Sequence, residues 1–173
     1  MKTISLRISG LIVALILTHG TAAFAAPPSD FGAGLMIGSM VSATGKVWVD
    51  EQNAVDFGLG FSGGDEVAIY ADYLWHIRGV FGSSTRFGRE TTGYIGGGAG
   101  IGFWDDSYDC GRFGCDRRRD DSGTGVFIRA LLGFEWVPAT TRFGIFAEIG
   151  PSFLIVPDVD GDLDIGIGAR YYF

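Results

Sequence analysis

The sequence predicts an all-β fold, an eight-stranded antiparallel transmembrane β-barrel with a small side-chain-filled lumen. Three observations predict it. Hydrophobic residues make up 47% of the 173 residues, yet beyond the N-terminus no long apolar run occurs. The apolar residues instead alternate with Gly and charge, which is how a membrane strand is written into a sequence. The composition, with 29 Gly, 14 Phe and a charged fraction of 19%, is odd for a soluble protein.

The first element is a targeting segment, expected over residues 1–25, with a barrel domain over 26–173. Lys2 and Arg7 supply a positive start, Leu11 to Leu17 (LIVALIL) a short apolar run, and Ala23-Phe24-Ala25 the small residues of a cleavage site. That run is shorter than the roughly 20 helical residues that cross a bilayer, which argues against a retained anchor. Without it, 11 basic residues stand against 20 acidic ones, a net charge of −9. So acidic a chain, with dispersed charge, is not a nucleic-acid binder.

Eight strand-like pieces follow, over 32–40, 44–50, 53–62, 66–76, 93–104, 125–137, 143–155 and 163–173. No helical periodicity is seen beyond the targeting segment. The first two pieces alternate poorly, and Ser39 to Ala43 fits either of them. The third sets Val55, Phe57, Leu59 and Phe61 against Asp56, Gly58, Gly60 and Ser62. The fourth sets Val67, Ile69, Ala71, Tyr73 and Trp75 against Ala68, Tyr70, Asp72, Leu74 and His76. In the fifth, Ile95, Gly97, Ala99, Ile101 and Phe103 oppose four glycines. The sixth places Arg129 and Glu135, the seventh Glu148, and the eighth Asp164 and Arg170 on the face opposite a charge-free apolar one.

This asymmetry assigns a solvent to each side. A soluble ligand-binding barrel would turn its apolar face inward. Here the apolar face is wide, aromatic and uncharged, and the other is Gly plus charge. A charge facing lipid at mid-bilayer costs about 2–4 kcal/mol, so a whole face without one is expected to meet lipid. The barrel must close, because an open edge in hydrocarbon leaves backbone groups unpaired. An even strand count puts both chain ends on one side, expected to be the periplasm. Tyr73, Trp75, Trp136, Phe143, Tyr171 and Phe173 then girdle that rim, and Phe61, Phe103 and Phe153 the other.

Gly168-Ala169-Arg170-Tyr171-Tyr172-Phe173 resembles the C-terminal signature of bacterial outer-membrane proteins, with Tyr171 and Phe173 as the alternating aromatic assembly signal. The stretch from Ile145 to Phe173 is similar to small outer-membrane barrels of the OmpA transmembrane domain and OmpX kind. The likeness extends, more weakly, to Lys46-Val47-Trp48, Ala54 to Gly58 and Ala71 to His76. It implies location in the outer membrane and insertion by the barrel assembly machinery, with membrane lipid and lipopolysaccharide as neighbours. It implies no activity. The connections 77–92 and 104–125 depart from the resemblance.

The candidate site is the inner-face charge network of Asp56, Asp72, Arg129, Glu135, Glu148, Asp164 and Arg170, with Lys46 nearby. One reading is a set of salt bridges plugging the lumen; the other is a narrow or gated ion path. His76, the one His outside the targeting segment, reads either as a hydrogen-bonded rim residue or as the base of a lipid-modifying enzyme. No Ser lies beside it in sequence, so no catalytic set, cofactor or metal is expected. Asp158-Val159-Asp160-Gly161-Asp162 lacks an acid at the twelfth loop position, which is Ala169. It reads as a tight hairpin tip, with loose surface cation bridging as the alternative. Cys110 and Cys115, in an exported loop, are expected to form a disulfide. That ring would hold Arg112 and Phe113 for an extracellular partner at the 104–125 loop. The other reading is a solvated charged loop against lipopolysaccharide. The expected role is structural or loop-mediated, with a pore or a lipid-modifying enzyme as alternatives.

Overall fold

The computed structural model describes residues 30–62, 66–104, 123–157 and 159–173. The targeting segment, Cys110 and Cys115, most of the 104–125 loop and Asp158 lie outside them.

The strands are β1 (Phe31–Gly38), β2 (Val41–Trp48), β3 (Asn53–Ser62), β4 (Glu66–Arg78), β5 (Thr91–Trp104), β6 (Gly123–Trp136), β7 (Phe143–Val156) and β8 (Asp160–Tyr172). Each pairs antiparallel with the next, and β1 pairs with β8 to close the barrel. Closure leaves no edge, which satisfies the backbone without water.

The alternation resolves as expected. Phe57, Leu59, Ile69, Tyr73, Ile101, Ile128, Leu132, Ile149 and Ile167 face outward and are exposed, while Asp56, Asp72, Arg129, Glu135, Glu148 and Arg170 are buried. An exposed apolar belt around a charged, buried centre is the reverse of a water-soluble barrel.

Three expectations are corrected. The first two strands alternate cleanly once the turn falls at Ser39–Met40. Val41 to Ala43 then belong to β2, and Ser42, Thr44 and Lys46 turn inward. The 77–92 connection holds a five-residue helix, α1 (Arg86–Glu90), begun by Thr85, whose side chain accepts from Gly88 N at 3.1 Å. Five residues are too few to show a helical period in sequence. Gly79 and Gly82 make the turn before it with φ of 78° and 76°, which only Gly adopts freely. Finally, Asp160 and Gly161 are not a hairpin tip. They pair with Leu154 and Phe153 inside the β7–β8 ladder, and β7 ends before them at Val156. The Asp160 and Asp162 side chains accept from the next residues' N–H groups, Gly161 and Leu163, at 2.8 and 2.7 Å. That local bonding engages Asp160 and Asp162.

One proline sits in the wall. The β6–β7 register runs from Arg129↔Ser152 and resumes at Leu132↔Ile149, skipping the residues opposite Gly150 and Pro151. Pro151 has no N–H to offer the ladder, so pairing lapses there.

Glycine explains the inner packing. Gly58 is the cross-strand partner of Tyr70, Gly133 of Tyr94, Gly168 of Phe146 and Gly32 of Tyr172. At each, an added Cβ would lie within 2.8 Å of the partner's ring. A narrow lumen accommodates large rings because a residue without a side chain stands opposite each of these.

Candidate functional site, the filled lumen

All eight strands contribute to the lumen. Two apolar clusters occupy it, one of Met36, Met40, Ala68, Tyr70, Phe127, Phe146 and Leu154. The other, of Ala54, Leu74, Tyr94 and Leu131 with Trp48 against it, lies nearer the rim of the chain ends. Charge crosses between these layers.

Three cations organise the charge, each held by one or more carboxylates and a ring. Arg129 donates from Nε to both Asp72 oxygens at 2.9 and 3.0 Å and from Nη2 to Oδ2 at 2.5 Å. It also donates to Glu148 at 3.3 Å and lies 3.9 Å from Asp164. Its guanidinium covers Tyr70 at 4.2 Å. Arg170 bonds Asp56, reaches Thr44 at 3.2 Å and stacks on Phe146 at 3.8 Å. Lys46 bonds Glu135, stands 2.9 Å from His76 Nε2 and lies 4.5 Å from the Trp48 ring centre. Glu135 also accepts from the Tyr172 hydroxyl, and Arg170 Nη1 lies 3.9 Å from it.

The seven network residues read from the sequence fall into two ion-paired groups, Arg129 with Asp72, Glu148 and Asp164, and Arg170 with Asp56 and Glu135. Asp164 is the most peripheral of them, at 3.9 Å from Arg129 with 15% of its side chain exposed. Lys46 is a full member, fully buried with Glu135. Buried ions of this kind persist only when paired, since desolvation costs several kcal/mol for each ion.

His76 is not at the solvent edge. Its ring is buried, with Nε2 against Lys46 and Nδ1 3.2 Å from the Gln52 carbonyl. Both ring nitrogens are engaged inside the wall. Asp72, four residues away on the same face, is held by Arg129 instead.

Thr44, Trp48, Tyr94 and Tyr172 are the members that sequence reasoning missed or left unused. Tyr94 and Tyr172 were in phase with the inner face of their strands. Thr44 and Trp48 were hidden by the unresolved first hairpin. Among the described residues, no group of His, Cys, Asp and Glu side chains has the geometry to hold a metal ion.

Outside the lumen, two carboxylates have clear electrostatic settings. Asp50, in the β2–β3 turn, is held below the usual carboxylate range by the Asn53 side chain and by the backbone N–H groups of Gln52 and Asn53. Glu90, at the end of α1, is held low by Arg86 first, with help from the Ala139 N–H.

Tyr171 and Phe173, the expected assembly signal, lie at the closure seam. Phe173 N–H donates to the Phe31 carbonyl at 3.1 Å, and its ring stacks on Phe31 at 5.7 Å. Tyr171 meets Phe173 edge-on at 5.1 Å and Phe143 at 5.0 Å. These rings form a continuous aromatic arc at one rim.

No family model matches the chain, and no curated protein matches it. Two solved structures are similar in shape. One is the N-terminal β-barrel domain of Pseudomonas aeruginosa OprF, 10% identical with a TM-score of 0.48, the match covering 83% of this chain and 98% of that one. The other is Neisserial surface protein A (NspA), 10% identical with a TM-score of 0.49, covering 83% of this chain and 94% of that one. Neither likeness carries a residue-level correspondence. By its own strand ladder the chain folds as a small eight-stranded antiparallel barrel, the architecture its C-terminal residues lead one to expect.

Proposed function

We propose that this is a non-enzymatic outer-membrane barrel that acts as a structural wall element and a platform for its external loops, not as a conduit. One observation carries the reading: the lumen is crossed by paired charges and packed with rings, between two apolar clusters. The uncharged apolar belt supports a lipid exterior, and the aromatic arc at Tyr171 and Phe173 supports recognition by the barrel assembly machinery. The chain ends then lie in the periplasm, and the 104–125 loop faces lipopolysaccharide or an extracellular partner.

Planar-bilayer recording tests the conduit question, and the expected result is no steady conductance at neutral pH. Stable single-channel steps would overturn the plugged lumen. Heat-modifiability on a gel tests barrel insertion, with a folded band that shifts on boiling as the expected result.

A narrow ion path is the second reading. Asp56 Oδ1 and Arg170 Nη1 are buried without a hydrogen-bond partner, which leaves polar capacity for water inside the lumen. The engaged ring of His76 argues against a lipid-modifying enzyme. Mass spectrometry of lipid A should be unchanged by the protein; an acyl change abolished by His76→Ala would overturn that.

A further inference from the structure

The β4–β5 connection does not hang free below the barrel. It folds back on the outside of the wall. Val80 lies over Gly93, where an added Cβ would sit 3.6 Å from the Val80 side chain. Phe81 meets Phe134 edge-on at 5.9 Å, and Phe87 packs on Trp136 at 6.0 Å. Gly93, Phe134 and Trp136 belong to the outward face of β5 and β6, the face that carries the apolar belt.

The strap is tied down by polar bonds on its barrel side. Glu90 accepts from Ala139 N–H at 3.2 Å and from Trp136 Nε1 at 3.4 Å, and its carbonyl accepts from Val137 N–H at 3.0 Å. Gly88 is buried, and an added Cβ would lie 2.3 Å from the Gly82 carbonyl, so α1 packs directly on the preceding turn. Arg86 bonds Glu90 at 2.8 Å and Arg89 the Ser83 carbonyl at 2.8 Å. Val80 is 58%, Phe81 43% and Phe87 52% exposed, beside the exposed polar residues Ser83 to Arg86 and Arg89.

We propose that this strap is a membrane-interface anchor, with Val80, Phe81 and Phe87 seated among the acyl chains of glycerophospholipids in the leaflet at the chain-end rim. The argument is continuity. The exposed rings join the apolar belt through Phe134 and Trp136, and Arg86 and Arg89 flank Phe87 in the chain. A short segment with apolar residues on one side and arginine stems beside them lies in the interface plane. The proposal rests on the membrane reading above.

The test is photo-crosslinking of the full chain in phosphatidylethanolamine–phosphatidylglycerol vesicles. The amino acid p-benzoyl-phenylalanine is placed at Phe81, Phe87, Leu132 on the belt, or Glu51 in the β2–β3 turn, with heat-modifiability as the folding check. Lipid adducts at Phe81 and Phe87 should come within about twofold of Leu132 and exceed Glu51 about tenfold. With Leu132 labelled by lipid, labelling of both strap positions at the Glu51 level, or crosslinking there to a second protein chain, would overturn the anchor. Absence of lipid at Leu132 itself would instead fall on the membrane reading, and the anchor with it. Two strap positions keep the test open if one variant does not fold.

Discussion

Asp56 and Asp72 stand directly opposite one another on β3 and β4, yet each carboxylate is claimed by a different arginine from across the barrel. Like charges at opposed positions destabilise a sheet pair. The lumen resolves the conflict by drawing Asp56 to Arg170 on β8 and Asp72 to Arg129 on β6.

Removing one cation should therefore cost more than removing the pair. Arg129→Ala leaves Asp72 and Glu148 buried without their cation and should destabilise the folded barrel by about 3–5 kcal/mol. Arg129→Met with Asp72→Leu should recover most of that loss, because an apolar pair needs no desolvation. Urea unfolding in lipid vesicles measures both. Equal midpoints for the single and double variants would contradict the pairing.

Gly98 sits between the partners in the ladder, opposite Asp72 on one side and Arg129 on the other. An added Cβ would lie 2.0 Å from the Ala71 carbonyl and 2.4 Å from Asp72 Oδ1. Gly98→Val should destabilise by about 1–3 kcal/mol through overpacking and loosen the ion pair above it. The same substitution at Gly161, whose added Cβ would meet nothing nearer than 3.3 Å, should be milder. The two urea midpoints decide the comparison.

The Asp50 carboxylate bonds Asn53 Nδ2 at 2.8 Å, Gln52 N–H at 2.7 Å and Asn53 N–H at 2.8 Å. These bonds depress its folded pKa below its unfolded value. Their contribution to the turn is thus fully present above the ordinary Asp range near about 3.9 and is lost as pH falls through the lowered folded value. Carboxyl NMR should place the Asp50 midpoint below that range, and Asp50→Asn should remove most of the pH dependence of amide exchange at Gln52 and Asn53. An Asp50 midpoint at or above the ordinary value would contradict this.

Phe173 bonds and stacks on Phe31, at the seam that forms only when the last strand meets the first. Phe173→Ala should slow membrane insertion in cells several-fold while leaving the purified, refolded barrel heat-modifiable. Pulse-chase assembly set beside refolding into detergent separates the two effects. A variant that assembles at the normal rate would remove the terminal ring from the assembly signal.

Much of this was legible in the chain. Period-2 alternation is a local property, so the lipid and lumen faces of β3 to β8, and the inward place of Asp56, Asp72, Arg129 and Arg170, follow from residue order alone. The β1–β2 hairpin was not legible, because Ser39 and Met40 carry no strong turn signal and a shift of one residue exchanges the faces. Thr44 was lost with it, and Lys46 was placed only near the network. The strap at Val80 to Glu90 was hidden for another reason. Its contacts are with Gly93, Phe134 and Trp136 on strands beyond the connection, and no short-range pattern reports them.

Residue order alone sets which way each residue of the later strands faces, because a pleated strand turns successive side chains to opposite sides. Only the closed barrel decided which charges meet. Asp72 and Arg129 come together across an intervening strand, and Asp56 and Arg170 across the β1–β8 seam, distances set by curvature and register in the ring and by nothing in either segment alone.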